Sequence, residues 1–255
     1  MSDEASRVLV IGGSGVLGAE LCRALKRDGA RVALTFCSAE GRAHELGTEL
    51  EAAAVLQLDL RQAGTIRAAV DAAAEALGGL DAFVFCAGVG VTTAPREGPS
   101  GEGPQEQPTL SEIDEAAWDA MLAVNTKGPF FAVQAAERHL VAAGGGNVVL
   151  VGSVDGTKAL PGPMHYAVSK GALDAMARAF GKHLGAAGIR TTVISPGILV
   201  DGLSRTIETR LLDEYEKHCG LKRRGELSEA ADVISWFAIR NTYVTGQTVL
   251  LDGAL

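Results

Sequence analysis

The amino-acid sequence predicts one α/β domain over residues 1–255, with a doubly wound parallel sheet of about seven strands and helices on both faces. Three observations predict this fold. Short runs rich in Val, Ile and Leu alternate along the chain with longer amphipathic stretches. A glycine cluster separates the first short run from the first amphipathic stretch. The 255 residues, 47% hydrophobic and 21% charged, contain enough apolar material for one large core.

The first half of the chain supplies four of the predicted strands. Each run is short and dominated by apolar residues, as in a strand buried on both faces, and each amphipathic stretch has a helical period. Strands are predicted at Val8 to Ile11, Val32 to Phe36, Ala54 to Leu58 and Ala82 to Phe85, and helices at Leu17 to Leu25, Ala39 to Leu50 and Ala63 to Leu77. Right-handed crossovers then place these strands parallel in one sheet.

The second half continues the alternation and contains two segments that interrupt it. Residues 90–110 hold four prolines and four glycines without an apolar period, which predicts a surface loop. Residues 200–226 are polar with a helical pattern and follow Pro196-Gly197, so we expect them to form a lid over the substrate. Strands are predicted at Asn147 to Val151, Arg190 to Ile194 and Thr248 to Leu251, and helices around Ile113 to Ala142 and Met164 to Ala187.

Charge and cysteine usage exclude several classes of function. The chain has 23 Lys and Arg against 31 Asp and Glu, a formal net charge of -8, so no basic field attracts nucleic acid or an anionic membrane. The N-terminal residues lack a secretory signal, and no run approaches the ~18 apolar residues of a membrane-spanning helix, so we expect a cytoplasmic protein. The four cysteines and five histidines show no disulfide-framework or metal-site spacing, and no metal is expected.

The glycine cluster between the first strand and the first helix is typical of a dinucleotide-binding turn of the Rossmann type. Glycines there permit a tight turn and a close approach of the backbone to a pyrophosphate, and the helix N-terminus offers unpaired N–H groups. An ordinary glycine-rich connection is the alternative. The candidate cofactor contacts in this turn are Gly12, Ser14, Gly15, Val16, Leu17 and Gly18.

The end of the second strand bears on the choice of cofactor. A site for NAD normally carries Asp or Glu there to bind the adenosine ribose, whereas this chain has Cys37 and Ser38. Ser38 and the nearby Arg42 suit a 2′-phosphate, which favours NADP(H). Arg42 is nearly as consistent with a solvated helix residue. Glu40, two residues beyond the usual acidic position, keeps NAD(H) open.

Three polar residues form a candidate catalytic group. Tyr166 and Lys170 stand one turn apart on one face of a predicted helix. An ammonium near a phenol favours the phenolate and brings proton transfer into range at neutral pH. Ser153 follows the fifth predicted strand, at the carboxyl edge of the sheet, where its hydroxyl suits a substrate carbonyl on which negative charge develops.

In order and spacing these residues resemble the short-chain dehydrogenase/reductase family over essentially the whole chain. Besides the glycine turn and the Ser, Tyr and Lys above, the resemblance is carried by Asp59, Cys86-Ala87-Gly88, Asn125, Pro196-Gly197 and the tail from Tyr243 to Gly253. The resemblance implies nicotinamide-dependent interconversion of a ketone and a secondary alcohol. It is nearest to the 3-oxoacyl-acyl carrier protein reductases and to reductases of secondary-metabolite ketones, and it implies a small substrate, free or carrier-bound, and a homotetramer or homodimer.

The resemblance also implies a role for each site residue. Asn125 supports a water relay and Ser153 polarises the carbonyl. Tyr166 is the general acid or base, and Lys170 lowers the pKa of that tyrosine and binds the nicotinamide ribose. The implied cofactor contacts outside the glycine turn are Cys37, Ser38, Asp59, Leu60, Ala87, Gly88, Tyr166, Lys170, Pro196, Gly197 and Ile198.

Three positions depart from the pattern of the family, and none belongs to the implied tetrad. Val16 stands where a glycine is usual, Cys86 where an asparagine is usual, and Asp201 where a threonine is frequent. Cys86 suits a small buried apolar residue better than a reactive thiol. Two alternatives therefore stay open: an NAD-dependent alcohol or sugar dehydrogenase, and a non-catalytic cofactor-binding regulator.

Overall fold

The sheet has seven parallel strands in the order β3-β2-β1-β4-β5-β6-β7. The computed structural model describes residues 5–90, 108–158, 160 and 162–255. The chain starts in the middle of the sheet, moves to one edge, and returns across β1 to the other edge, so the predicted doubly wound fold is confirmed. The strands are β1 Arg7–Ile11, β2 Arg31–Phe36, β3 Ala54–Gln57, β4 Ala82–Phe85, β5 Gly146–Val151, β6 Ile189–Pro196 and β7 Gln247–Leu251.

Helices cover both faces of the sheet and bury two apolar clusters. Alternate residues of β1 enter the two clusters, Leu9 on one face and Val10 on the other. The helices α3, α5 and α6 pack on the first face, and α1, α2 and α8 pack on the second. The helices are α1 Val16–Arg27, α2 Glu40–Leu50, α3 Ala63–Leu77, α4 Glu115–Leu122, α5 Gly128–Ala142, α6 Met164–Leu184, α7 Thr209–His218 and α8 Leu227–Ile239.

The structure differs from the predicted elements at two places. The single helix expected around Ile113 to Ala142 is divided into α4 and α5 by a π-helical turn, Ala123–Lys127. Pro129 lacks the N–H that an α-helix would donate to the carbonyl of residue 125, and Gly128 donates instead to the carbonyl of Ala123. Helix α8 is not among the helices predicted from the sequence; at its start the N–H of Glu226 donates to the Glu229 carboxylate.

The segment predicted as a lid leaves β6 at the carboxyl edge of the sheet. It forms a short 3-10 helix, Gly202–Thr206, followed by α7, and an isolated parallel bridge joins Leu199 to Gly225. Most of the predicted loop over 90–110 lies outside the described residues. Within the part of the chain that the structure describes, no helix is both long and apolar enough to cross a membrane, and no group of three His, Cys, Asp or Glu is placed to hold a metal ion.

Candidate active site

A cavity of about 1400 Å³ opens at the carboxyl edge of the sheet. Loops that follow β1, β2, β4, β5 and β6 form its floor, and the segment from Asp201 to His218 forms one wall. Carboxyl edges of parallel sheets are the usual position for a ligand in doubly wound folds. Sixteen of the implied catalytic and cofactor-binding residues line this cavity: Gly12, Ser14, Gly15, Val16, Leu17, Gly18, Cys37, Ser38, Ala87, Gly88, Ser153, Tyr166, Lys170, Pro196, Gly197 and Ile198.

The glycine turn forms a cradle of backbone groups. Gly12 has a φ of 80°, and a Cβ there would lie 2.7 Å from the backbone of Ala87, so the position requires glycine. The N–H of Gly12 donates to Oγ1 of the buried Thr35 at 2.9 Å, which anchors the turn. Helix α1 begins with no side-chain cap from Gly15 and no acidic residue in its first turn. The N–H groups in the first turn of α1 therefore suit an anion such as a dinucleotide pyrophosphate.

Val16, one of the departures from the family pattern, faces the opposite wall of the cavity. A Cβ on Gly202 would lie 3.9 Å from Cβ of Val16, so the cradle and the segment after β6 are neighbours. Asp201 begins the 3-10 helix: its carboxylate accepts from the N–H of Gly202 and pairs with Arg205. Asp201 therefore acts as a helix cap in the position where a threonine is frequent.

The end of β2 forms the part of the cavity beyond the cradle. Ser38 and Arg42 both line it. Glu40 is absent from the described lining residues and lies 3.9 Å from the imidazole of the exposed His44. The side chains available to the cavity at this end are therefore a hydroxyl and a guanidinium, which suit a phosphate.

Two of the implied cofactor contacts, Asp59 and Leu60, lie away from the described lining of the cavity. Asp59 pairs with Arg61 at 2.7 Å, and this guanidinium holds the pKa of the Asp59 carboxyl below its usual value. Leu60 is buried, and a Cβ on Gly128 would lie 3.3 Å from its Cδ2. Cofactor contacts at Asp59 and Leu60 stay predictions.

Ser153, Tyr166 and Lys170 meet where β5 ends and α6 begins. Ser153 is buried two residues beyond the end of β5. Tyr166 and Lys170 share one face of α6, with Nζ of Lys170 5.8 Å from the centroid of the Tyr166 ring. Nζ of Lys170 also donates to the carbonyl of Val151 at 3.0 Å. The strand end thus holds the ammonium beside the phenol.

Burial sets the protonation of both α6 groups. Desolvation lowers the pKa of Lys170 to about 8, although Cys86 and Asp155 oppose it. Desolvation raises the pKa of Tyr166 above its ordinary value, hydrogen bonding with Ser153 lowers that pKa, and the negative charge of Asp155 raises it. The phenol is therefore protonated at neutral pH in this structure, the state that can donate a proton.

Asn125, the fourth implied catalytic residue, lies behind the wall of the cavity. Its Oδ1 accepts from the N–H of Val89 and its Nδ2 donates to the carbonyl of Val89, both at 2.9 Å. Nδ2 also lies 3.1 Å from Oγ of Ser169 in α6. A Cβ on Gly88 would lie 3.3 Å from Nζ of Lys170. In this structure Asn125 therefore positions the backbone that borders the lysine.

Sequence reasoning missed two residues of the site. Asp155 lines the cavity and accepts a hydrogen bond from Ser153 at 2.8 Å; its position two residues after Ser153 was the available signal. Tyr215 of α7 also lines the cavity, and its hydroxyl donates to the carbonyl of Asp252 at 3.2 Å. A Cβ on Gly197 would overlap that hydroxyl, so α7 packs tightly against the loop after β6. No local pattern marks Tyr215.

Cys86 is half-buried and lines the cavity, so it is less enclosed than the sequence predicts. Burial raises the pKa of its thiol to about 12, so the sulfur is protonated at neutral pH and is a poor nucleophile. Its N–H donates to the carbonyl of Ile11, which continues the pairing of β1 and β4. Cysteine in place of asparagine leaves the strand pairing intact.

Comparisons with known proteins agree with this geometry. A family model described as enoyl-(acyl carrier protein) reductase matches residues 14–255. The cyclic-di-GMP-binding biofilm dispersal mediator protein of Escherichia coli is 30% identical over 97% of this chain and 95% of that protein. The 3-oxoacyl-[acyl-carrier-protein] reductase of Staphylococcus aureus is 23% identical over 97% of this chain and 96% of that protein.

A solved structure extends the agreement to the fold. A short-chain dehydrogenase from Burkholderia cenocepacia, crystallised in complex with NADP, is 29% identical and superposes with a TM-score of 0.85 over 98% of this chain and 97% of that chain. Sequence match, topology and the residues at the carboxyl edge thus lead to one assignment. The chain belongs to the short-chain dehydrogenase/reductase family, whose members are NAD(P)-dependent oxidoreductases acting on CH–OH and C=O groups.

Proposed function

We propose that this protein uses NADPH to reduce a ketone to a secondary alcohol. One observation carries the proposal: a single cavity runs from the backbone cradle at Gly12 to the group formed by Ser153, Tyr166 and Lys170. The cradle has the glycine turn and, at the start of α1, a helix N-terminus without a side-chain cap, which suit a pyrophosphate. The other end has a protonated phenol beside an ammonium.

NADP(H) is the proposed cofactor, with NAD(H) as the weaker candidate. Ser38 and Arg42 line the cavity at the adenosine end, and Glu40 does not belong to its described lining. The solved relative from Burkholderia cenocepacia was crystallised with NADP. A guanidinium and a hydroxyl suit a 2′-phosphate, which NAD lacks.

Each residue of the catalytic group has a proposed task. When bound, NADPH supplies the hydride. The Ser153 hydroxyl donates a hydrogen bond to the substrate carbonyl oxygen and steadies the charge that develops there. Tyr166 donates the proton to that oxygen. Lys170 holds positive charge beside the phenol and stabilises the phenolate left behind, and Asn125 supports the relay that returns the proton.

The substrate is proposed to be a ketone of moderate size, such as a 3-oxoacyl thioester or a secondary-metabolite ketone. Residues 200–226 are proposed to cover it as a lid, since this segment already forms one wall of the cavity. The adjacent basic run, Lys222-Arg223-Arg224, is a weak docking surface for an anionic carrier, because Arg223 pairs with Glu229 and Arg224 with Glu216. A free substrate is therefore favoured over a carrier-bound one.

A homotetramer or homodimer in the cytoplasm completes the proposal. Helices α4, α5 and α6 expose large apolar side chains that an interface between copies would cover. They are Trp118, Phe130, Phe131 and Val168. Sedimentation analysis at micromolar concentration tests the assembly.

Binding of the two cofactors is the first test of the proposed function. Titration of the purified protein with NADPH and with NADH, followed by nicotinamide fluorescence, is expected to show tighter binding of NADPH. Oxidation of NADPH with a panel of ketones is then expected, and it should be absent in Tyr166→Phe. Preference for NADH would support the oxidative alcohol or sugar dehydrogenase instead.

A non-catalytic regulator is the second candidate, and one comparison favours it. The relative from Escherichia coli that is 30% identical is described as a cyclic-di-GMP-binding mediator of biofilm dispersal. Binding of NADPH without oxidation by any ketone, together with measurable binding of cyclic-di-GMP, would support this candidate over the reductase.

A further inference from the structure

Ser153 carries one hydroxyl proton and donates it to Asp155 in this structure. Oγ of Ser153 lies 2.8 Å from Oδ2 of Asp155, and Oγ also lies 3.3 Å from the backbone N of Asp155, from which it accepts. A serine hydroxyl donates one hydrogen bond. When Ser153 donates to a substrate carbonyl, as the proposed function requires, the Asp155 carboxylate loses that hydrogen bond.

Asp155 has no second side-chain partner among the described residues to replace it. Neither of two nearby ammonium groups is hydrogen-bonded to it: Lys170 donates to the carbonyl of Val151 at 3.0 Å, and Lys158 pairs with Asp252 at 2.5 Å. The carboxylate lines the catalytic cavity. A partly buried carboxylate without a donor is unfavourable. When Ser153 donates to a substrate carbonyl, the Asp155 carboxylate therefore needs another hydrogen-bond donor.

The substrate is the group in position to supply that donor. Two acceptors of one hydroxyl lie within about 6 Å of each other, because each hydrogen bond spans about 2.8 Å. A carbonyl oxygen on Ser153 is therefore near the Asp155 carboxylate, and a substituent on the adjacent carbon reaches it. Gly162 lies close against the carboxylate, since a Cβ there would lie only 2.7 Å from Oδ1 of Asp155, and both residues line the cavity that a substrate would enter.

We propose that Asp155 is a specificity-determining residue that selects ketones bearing a hydroxyl or ammonium group on the carbon next to the carbonyl. An alkyl group there leaves the carboxylate without a donor, and a carboxylate there is repelled. Of the two proposed substrate classes, this selection favours a secondary-metabolite ketone over a 3-oxoacyl thioester, in which neither carbon next to the 3-oxo group bears a hydroxyl or an ammonium. The charge of Asp155 acts on two groups of α6, Tyr166 and Lys170, and Lys158, three residues further along the chain, is paired with Asp252. The inference rests on the proposed function, because Ser153 must bind a carbonyl.

Four ketones with one shared phenyl group test the selection. Phenacyl alcohol carries a hydroxyl next to the carbonyl, phenacylamine an ammonium, propiophenone a methyl group of similar size, and phenylglyoxylate a carboxylate. For the natural sequence we expect kcat/KM with NADPH to be about tenfold higher for the first two than for propiophenone, and lowest for phenylglyoxylate. Equal values for phenacyl alcohol and propiophenone would overturn the inference.

Asp155→Asn keeps the shape and an acceptor for Ser153 but removes the charge. The preference for phenacylamine over propiophenone is expected to fall about tenfold, and phenylglyoxylate is expected to become a better substrate. Asp213→Asn is the matched control, because Asp213 is exposed on α7 and does not belong to the described lining of the cavity. An unchanged preference in Asp155→Asn, or the same change in Asp213→Asn, contradicts the inference.

A binding measurement separates this inference from the proposed function. With saturating NADP+ the ketones bind without turnover, and calorimetry gives their dissociation constants for both variants. Phenacylamine is expected to bind about tenfold more tightly than propiophenone to the natural sequence and equally to Asp155→Asn. If no ketone is reduced but this difference in affinity holds, the reductase proposal fails and the assignment of Asp155 stands. Equal affinities in the natural sequence overturn the assignment of Asp155.

Discussion

The two ends of the cavity are built from different parts of the chain. The cofactor end consists mainly of backbone: the turn at Gly12, the start of α1 and the loop at Ala87. The substrate end consists of side chains, with Ser153, Asp155 and Tyr166 joined by hydrogen bonds and charge. Backbone geometry follows from local residue types, whereas side-chain geometry depends on which partner each side chain meets in the folded protein. Changes at the two ends should therefore fail in different ways.

Tyr166→Phe should impair the substrate end of the cavity and leave the cofactor end nearly unchanged. The phenol is the proposed proton donor, and general acid catalysis contributes 10²- to 10⁴-fold to rates, so we expect kcat to fall by about a thousandfold. The phenyl ring stays in place, so the dissociation constant for NADPH should change less than about threefold. Steady-state kinetics and fluorescence titration measure the two quantities. A large loss of NADPH affinity would show that the ends are not independent.

Gly12→Ala should break the cofactor end alone. Alanine at a φ of 80° is strained by about 1–2 kcal/mol, and its Cβ would lie 2.7 Å from the backbone of Ala87. We expect the affinity for NADPH to fall by about a hundredfold and the melting temperature to drop by several degrees. Titration and thermal unfolding measure these effects.

A glycine elsewhere provides the control for this strain. Gly64 in α3 has no atom within 4 Å of a built Cβ, so Gly64→Ala should leave NADPH affinity unchanged and stabilise the fold by about 0.5–1 kcal/mol. If Gly12→Ala behaved like Gly64→Ala, the requirement for glycine in the cradle would be refuted.

The same contrast explains what the sequence can predict. The sheet, the glycine turn and the pairing of Tyr166 with Lys170 follow from apolar period and helical spacing, which are local. The direction of Asp59 does not, because it depends on Arg61 turning back to hold the carboxylate. Asn125 is similar: its amide is engaged by Val89, 36 residues away, where a sequence pattern gives no sign of the contact.

Asp155 and Tyr215 show which features of the substrate end could not be predicted from the sequence. Asp155 matters because it meets Ser153, and Tyr215 because α7 folds back onto Gly197. The first contact is local, two residues apart, but no apolar or helical period indicates it. The second joins α7 to the loop after β6, whose relative position is set by the whole fold. The break between α4 and α5 had a local signal in Pro129, which an apolar period spanning Ile113 to Ala142 obscures.

Lys170→Met tests the buried ammonium group that lies between the cofactor end and the substrate end of the cavity. Burial lowers the pKa of Lys170 from 10.5 to about 8, so the unfolded chain binds more protons between these values and the stability of the natural sequence rises with pH there. Below about pH 8 the buried charge costs free energy that methionine does not. Lys170→Met should therefore be more stable by about 2 kcal/mol near pH 7, and the difference should shrink towards pH 10. Urea unfolding across this range checks it, and a constant difference would contradict it.

Arg42→Ala tests a side chain at the cofactor end of the cavity, which otherwise consists mainly of backbone. Arg42 is exposed on α2, where water screens its charge, so its removal should weaken NADPH binding by only about fivefold to tenfold. NADH, which lacks the 2′-phosphate, should bind unchanged. Glu40→Gln is the matched control, since Glu40 is two residues away and outside the described lining of the cavity. Because the contact is charged and exposed, the NADPH effect should also decline as salt is raised from about 50 to 500 mM. An equal loss for NADH would mean that Arg42 acts through the structure of α2 and not through the phosphate.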